Sequence, residues 1–154
     1  MYLIRSQSNP SILYSNYRVL LPKRQRLNGK EVIFLTRKRQ YIWKWLFGFF
    51  YVKQYPNIKY NQISSHITIK LSKKAVMRHT FKRAIMQSVH KYDLVHHPIN
   101  DSFYKFFIVV SKNCVPEIQK KIANFTKKDT IRYIQTEFEK SWTLMTEKLH
   151  EKRK

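Results

Sequence analysis

The sequence has few of the residues that several kinds of site require. Among 154 residues there are one cysteine, Cys114, and two glycines, Gly29 and Gly48. A single cysteine excludes an internal disulfide and a zinc site built on cysteines. Two isolated glycines exclude a glycine-rich phosphate loop. We interpret Cys114 as a small apolar residue near a strand end, in a protein of a reducing compartment.

Long apolar segments are also missing. The most apolar run, residues 41–52, is interrupted by Lys44 and is shorter than the ~20 residues that a membrane-spanning helix needs. The first 20 residues contain no apolar segment of the signal-peptide type. These absences predict a cytoplasmic protein with no membrane partner. A mitochondrial-type presequence stays open, because Arg5, Arg18 and several serines precede the first acidic residue.

Acidic residues are scarce relative to basic ones. Nine Asp and Glu stand against 31 Lys and Arg, and the formal net charge is +22. So many positive charges repel one another in a folded chain. Their excess is most easily explained by a nucleic-acid partner. An anionic membrane surface is the lesser alternative, because the apolar helix faces are needed for a core. The 43% of hydrophobic residues is enough for one folded domain of this length.

The nine acids are too dispersed for a catalytic site. A two-metal phosphodiesterase needs clustered carboxylates, and the adjacent His96 and His97 have no third ligand at zinc-site spacing. His79 and His90 fall on one predicted helix, where their eleven-residue separation corresponds to roughly 16 Å along the axis. That distance is too great for an acid–base pair on one phosphate. We predict no catalytic residue and no metal site in the protein itself.

The central stretch, residues 67–90, has the pattern of a strand that continues into a helix. Apolar residues alternate up to Leu71, and from Ser72, a candidate helix cap, they recur every third or fourth residue. The opposite side of this helix is cationic, and no acid occurs between Lys53 and His90. A solvated helix face usually mixes both signs, so we predict that this face meets a polyanion.

The rest of the chain divides into an extension, one domain and a tail. We predict the extension over residues 1–20, the domain over 21–150 and a basic tail over 151–154. The expected elements of the domain are a helix over 29–37 capped by Asn28, with Val32, Ile33 and Phe34 buried; an aromatic strand over 43–53; a strand over 62–71 as its hairpin partner; a central strand over 103–110; a short helix from Val115; and a last helix opened by Thr126 or Asp129.

Three features in order resemble the protein subunit of bacterial-type ribonuclease P. They are the basic lead-in Leu21-Pro22-Lys23 with Arg26-Leu27, the aromatic strand ending Phe50-Tyr51-Val52, and the segment Ala75-Val76-Met77-Arg78-His79-Thr80-Phe81-Lys82-Arg83. The family's helix carries Arg-Asn-Arg, any residue, Lys-Arg at this last place. Arg78, Lys82 and Arg83 match it, whereas His79 and Thr80 depart from it. The resemblance covers roughly residues 21–150.

The resemblance implies both a fold and a function. The fold is an α/β sandwich of the α+β type, with a mixed sheet of about four strands and three to four helices, the class of ribosomal protein S5 domain 2. Its β-α-β crossover is left-handed, against the usual rule. In this family the RNA subunit removes the 5′ leader of precursor tRNA with RNA-bound Mg²⁺. The protein supplies RNA-binding residues, with no further protein partner required; here they are Lys70, Lys73, Lys74, Arg78, His79, Lys82 and Arg83.

The resemblance also implies a cleft for the leader, between the first helix and the sheet. Single-stranded RNA stacks on aromatic rings, and alternate residues of a strand face opposite ways. We predict that Phe34 with Phe47, Phe49 and Tyr51 forms the platform, because the Tyr51 hydroxyl tolerates water. A core position for all these rings is the alternative. The alternative function is a structural RNA-binding protein without catalytic partner, for example of the ribosome.

Overall fold

The most uniformly apolar segment of the chain forms a central strand of a four-stranded sheet. The computed structural model describes residues 21–152, so the predicted extension over 1–20 lies outside the described residues. Its strands are β1 (Tyr41–Lys44), β2 (Phe47–Lys53), β3 (Gln62–His66) and β4 (Tyr104–Val110). Its helices are α1 (Gly29–Lys38), α2 (Ala75–Lys91), α3 (Val115–Ile122) and α4 (Lys127–Lys152). Helix α4 thus continues two residues beyond the predicted domain end at 150.

The sheet order is β1-β2-β4-β3, which confirms a mixed four-stranded sheet with β4 inside it. β1 and β2 are antiparallel, as are β2 and β4, whereas β3 and β4 are parallel. The predicted hairpin between the aromatic strand and β3 is therefore wrong. Helix α2 is instead the crossover between two parallel neighbours, the connection that such a pair requires. That this crossover is left-handed stays a prediction.

The predicted aromatic strand is in fact a tight hairpin. It turns at Trp45 and Leu46, so that Tyr41 pairs with Phe50 and Trp43 with Gly48. The turn carries none of the glycine or asparagine that marks most two-residue hairpins, and Trp45 has a φ of 57°. Ser111 fixes the turn by donating its backbone N–H to the Leu46 carbonyl at 2.7 Å. Because these turn residues are missing, the sequence does not predict that the strand is divided here into β1 and β2.

One face of the sheet carries the hydrophobic core. α4 packs across this face, where the Phe138 ring lies 5.7 Å from Phe47 and the Trp142 ring 5.0 Å from Phe106. The predicted apolar stripe of α4 is confirmed, since Ile134, Phe138, Trp142, Met145 and Leu149 are buried. α2 packs against α4 and adds Phe81, Ile85 and Val89 to the core. Both long helices therefore turn their polar sides away from the sheet.

Helix α1 lies on the opposite face of the sheet. Asn28 caps it as predicted, and a capping box joins Asn28 and Glu31. The predicted buried side is wrong, because Leu35 is the buried residue of this helix whereas Ile33 and Phe34 are more than half exposed. The ten residues of α1 give fewer than three full turns, so the sequence alone does not decide which side of the helix is buried.

The strand-like alternation of residues 67–71 does not form a strand. β3 ends at His66, and the chain then turns where the Leu71 N–H donates to the Thr68 carbonyl at 3.1 Å. The predicted cap at Ser72 is also wrong, because the residue before α2 is Lys74 and its side chain makes no capping bond. Ser72 instead accepts a hydrogen bond from the Lys74 N–H at 3.2 Å. The basic lead-in to α2 is thus a folded loop.

Candidate RNA interface

The cationic side of α2 is exposed along its first half. His79, Lys82 and Arg83 are exposed, whereas Thr80 and Phe81 beside them are buried. In residues 21–152, none of the seven predicted RNA-binding side chains forms an ion pair with a carboxylate. Like charges at i, i+4 repel one another along a helix. The exposed side of α2 is therefore an uncompensated cationic surface that a polyanion would stabilise.

Arg78 differs from the other six predicted RNA-binding residues, because it is half-buried. Its guanidinium donates from Nη1 to the Ser72 carbonyl at 2.8 Å, across the start of α2. This bond uses one of five guanidinium donors, so the remaining ones stay available. Arg78 consequently supports the lead-in loop as well as facing the cationic surface.

The lead-in loop brings three further cations to the start of α2. Lys70, Lys73 and Lys74 are all exposed. The loop is held from α3, since the Gln119 amide donates to the carbonyls of Lys70 and Leu71 at 3.1 and 2.9 Å. Six exposed residues thus lie on α2 and the loop that leads into it: Lys70, Lys73, Lys74, His79, Lys82 and Arg83. Together with Arg78 we call them the cationic surface.

The prediction placed the aromatic platform on the wrong side of β2. Phe47, Phe49 and Tyr51 are buried and face α4, because the hydrophobic core needs one complete apolar side of the sheet. The Tyr51 hydroxyl accepts a hydrogen bond from Lys152 at 3.2 Å. A hydroxyl that we expected to face nucleotides is therefore occupied at the end of α4.

The other side of the sheet carries a second set of aromatic rings that pattern analysis missed. Tyr41 and Trp43 are exposed, and Phe50 and Phe107 are half-buried. Ring centroids lie 6.1 Å apart for Tyr41 and Trp43, 5.6 Å for Tyr41 and Phe50, and 6.3 Å for Phe50 and Phe107. We call these four residues the aromatic face. The sequence offered a signal, since both sides of β2 are apolar, but no pattern tells which side the helices cover.

Gly48 allows the Trp43 ring to lie against β2 at the outer edge of the aromatic face. A Cβ atom at position 48 would lie 2.5 Å from Cζ3 of Trp43, so the indole lies directly on the glycine backbone. A glycine in a strand often marks such a close approach. One side of the indole lies against Gly48, so only its other side is available for contact.

Helix α1 is fixed beside the aromatic face by a part-buried ion pair. The Lys105 ammonium lies 2.6 Å from Glu31 Oε2, and the other oxygen of Glu31 accepts the Asn28 N–H at 3.1 Å. The Leu27 N–H also donates to Ser64 Oγ on β3 at 2.9 Å. Phe34, which is 53% exposed, projects from α1 with the Lys38 ammonium 5.3 Å from its ring centroid. Phe34 is thus accessible, as a leader-binding residue needs to be, and its contact with a leader stays a prediction.

Among the described residues, we find no group of three or more His, Cys, Asp or Glu side chains arranged as metal ligands would be. Burial lowers the pKa of His90, although the nearby Asp93 carboxylate opposes this change. Burial, and then Glu137, Glu117 and Cys114, raise the pKa of Tyr133 to about 12. None of the described helices is long and apolar enough to cross a membrane.

Comparison with solved structures identifies the fold. The chain is similar to the RNase P protein of Staphylococcus aureus, with 16% identity, a TM-score of 0.58, and coverage of 79% of this chain and 94% of that one. It is also similar to the RNase P protein of Thermotoga maritima, with 12% identity, a TM-score of 0.50, and coverage of 72% and 96%. No protein-family model matches the sequence, and no curated protein does either. The expected ribonuclease P protein fold is therefore confirmed by structure.

Proposed function

We propose that this chain is the protein subunit of a ribonuclease P, and that it assists an RNA subunit in removing the 5′ leader of precursor tRNA. The shared fold with two bacterial RNase P proteins supports the proposal. The observation that carries it further is the presence of two separate surfaces on that fold. One carries basic residues without acidic partners, and the other is aromatic and lies beside α1.

In this proposal the cationic surface binds the RNA subunit. A folded RNA presents closely spaced phosphates, and lysine and arginine bind them with release of counterions. Lys82 and Arg83 on α2 and the three lysines of the lead-in loop are exposed and free of carboxylate partners in the described chain. His79 offers a hydrogen-bond donor where the family motif has asparagine.

The aromatic face is the surface that we propose for the leader. A leader is single-stranded and varies in sequence, and stacking suits it because every base has a π-face. The rings of Tyr41, Trp43 and Phe50 are accessible on the open side of the sheet, and Phe34 projects from α1. They take the place of the predicted Phe47, Phe49 and Tyr51, which belong to the core.

Hydrolysis is assigned to the RNA subunit in this proposal. The dispersed carboxylates offer no set of three converging ligands in residues 21–152, so Mg²⁺ would be held by RNA phosphates. Mg²⁺ would supply charge stabilisation at the scissile phosphate. The protein's own part is to bind and orient the two RNAs, and we place this function in the cytoplasm.

Reconstitution tests the proposal directly. Adding the protein to a bacterial ribonuclease P RNA should restore leader removal at low Mg²⁺, where the RNA alone is slow. Binding of a precursor tRNA should be tighter than binding of the mature tRNA, because only the precursor has a leader. Tight RNA binding with no gain in cleavage would instead favour a structural RNA-binding protein.

A further inference from the structure

The tip of the β1-β2 hairpin carries a large aromatic residue in a conformation that such residues avoid. Trp45 has a φ of 57°, in the left-handed region. This region is normally occupied by glycine or asparagine, and a bulky residue there is an outlier. Strained residues of this kind concentrate at functional sites. The turn therefore keeps an indole where a smaller residue would fit the backbone better.

The indole of Trp45 is exposed and not part of the core. It is 59% exposed, and the neighbouring Leu46 is buried. The Lys140 ammonium of α4 lies 4.4 Å from the centroid of the Trp45 ring. Lys140 is itself 4.0 Å from Glu137 Oε1, so its charge is only partly balanced. A cation held against the indole leaves most of the ring accessible.

The backbone around Trp45 is held firmly. Cys114 lies with its Sγ 3.8 Å from the Trp45 carbonyl oxygen, and the Ser111 N–H bonds to the adjacent Leu46 carbonyl. These contacts also bring the exposed Lys112 to the turn, on the side of β4. A rigid exposed aromatic with lysines beside it is the combination that binds single-stranded nucleic acid.

From this geometry we propose that Trp45 and Lys140 form a stacking site for one unpaired base of an RNA strand. The base stacks on the exposed indole, and the adjacent lysines attract its phosphates. The site lies at the hairpin tip beside α4, on residues that belong neither to the aromatic face nor to the cationic surface. It rests on the proposed RNA binding but not on a role in ribonuclease P.

Replacing Trp45 separates stacking from a structural role. Trp45→Gly removes the ring and supplies the residue that the left-handed turn favours. The affinity for a single-stranded RNA of about twelve nucleotides should fall roughly 5- to 150-fold, the range for one lost base stack. The urea midpoint of unfolding should stay unchanged or rise. Unchanged RNA affinity in a folded Trp45→Gly protein would overturn the proposal.

Two lysines of α4 provide a matched comparison that does not depend on the turn. Lys140 and Lys148 are 46% and 45% exposed, and each lies near a glutamate three residues away. Lys140→Gln should reduce the salt slope of RNA binding by roughly 0.7–0.9, whereas Lys148→Gln, outside the site, should leave the slope unchanged. Only Lys140→Gln should also weaken RNA binding at a fixed salt concentration. Equal affinities of the two variants would contradict the stacking site.

An abasic RNA completes the test. The wild-type protein should bind an intact strand more tightly than the same strand with abasic positions, and Trp45→Gly should reduce that difference. A difference that persists in full would overturn the proposal. Restoration of cleavage in the reconstitution assay, together with unchanged RNA binding by Trp45→Gly, would reject this site alone and leave the proposed function standing.

Discussion

The ion pair between Lys105 and Glu31 should be the main polar anchor of α1 on the sheet, and it can be tested by Lys105→Met. Methionine keeps an unbranched side chain of similar reach but removes the ammonium. The Lys105 side chain is 9% exposed and that of Glu31 is 22% exposed. Removing one partner of a fully buried pair costs about 3–5 kcal/mol. Water can still reach Glu31, so the loss should be nearer the 1.5–3 kcal/mol of a hydrogen bond to a charged group.

The corresponding shift in melting temperature can be stated. In a domain of this size, each kcal/mol corresponds to about 2–4 °C, so Lys105→Met should melt about 3–12 °C below the wild type. The free energy of unfolding should be measured by urea denaturation monitored by circular dichroism. Lys53→Met is the matched control, because Lys53 is exposed at the end of the neighbouring strand, and it should change stability by less than about 0.5 kcal/mol.

A double variant shows whether the two charges interact. Glu31→Gln preserves the capping box, which accepts glutamine at this position. The combination of Lys105→Met and Glu31→Gln leaves no buried charge, so its loss should be smaller than the sum of the two single losses by at least about 1 kcal/mol. Strictly additive losses, or a Lys105→Met protein as stable as the Lys53→Met control, would refute the anchoring role.

Three further predictions address the two RNA surfaces and the pH dependence. Lys82→Ala should leave the urea midpoint unchanged and reduce the salt slope of RNA binding by roughly 0.7–0.9, the value for one phosphate contact; an unchanged slope would remove Lys82 from the interface. Phe50→Ala should weaken binding of precursor tRNA roughly 5- to 150-fold relative to mature tRNA, whereas Tyr51→Ala should mainly lower stability, and the opposite pattern would restore the rejected platform. Because burial lowers the pKa of His90 from its ordinary 6.5, the unfolded chain takes up a proton first as the pH falls below that value, and stability should decline on acidification. His90→Gln should flatten this decline in urea midpoints measured across that range, and an identical decline would show that other groups cause it.

The long helices could be predicted from the sequence because their patterns repeat over many turns. The stripe from Ile134 to Leu149 in α4 spans four turns, and only one phase buries all of it. The cap of α1 at Asn28 could be predicted from local chemistry alone. The phase of α1 could not, since ten residues leave Phe34 and Leu35 nearly equivalent. Only the tertiary contact with the sheet decides between them.

The strands show where sequence patterns stop being informative. β2 is apolar on both sides, so Tyr51 and Phe50 were equally suited to the core, and the position of α4 on one side decided the outcome. The partner of β3 depends on a crossover through α2, which no local pattern specifies. The alternation from Ile67 to Leu71 reflects a turn that buries Ile67 and Leu71 and leaves Ile69 exposed. The errors on the side of β2 and on the partner of β3 thus come from contacts distant in sequence, whereas the turn at 67–71 is local.

The indole of Trp43 lies on Gly48, so a substitution at either position should require a substitution at the other. Any side chain at position 48 would collide with the Trp43 ring, and a small residue at position 43 would leave the glycine uncovered, a loss that cross-strand aromatics normally prevent. Homologous chains should therefore vary at both positions together, with a large ring opposite glycine or two medium-sized residues opposite each other. This covariation offers a way to align distant relatives whose overall identity is too low to align them residue by residue.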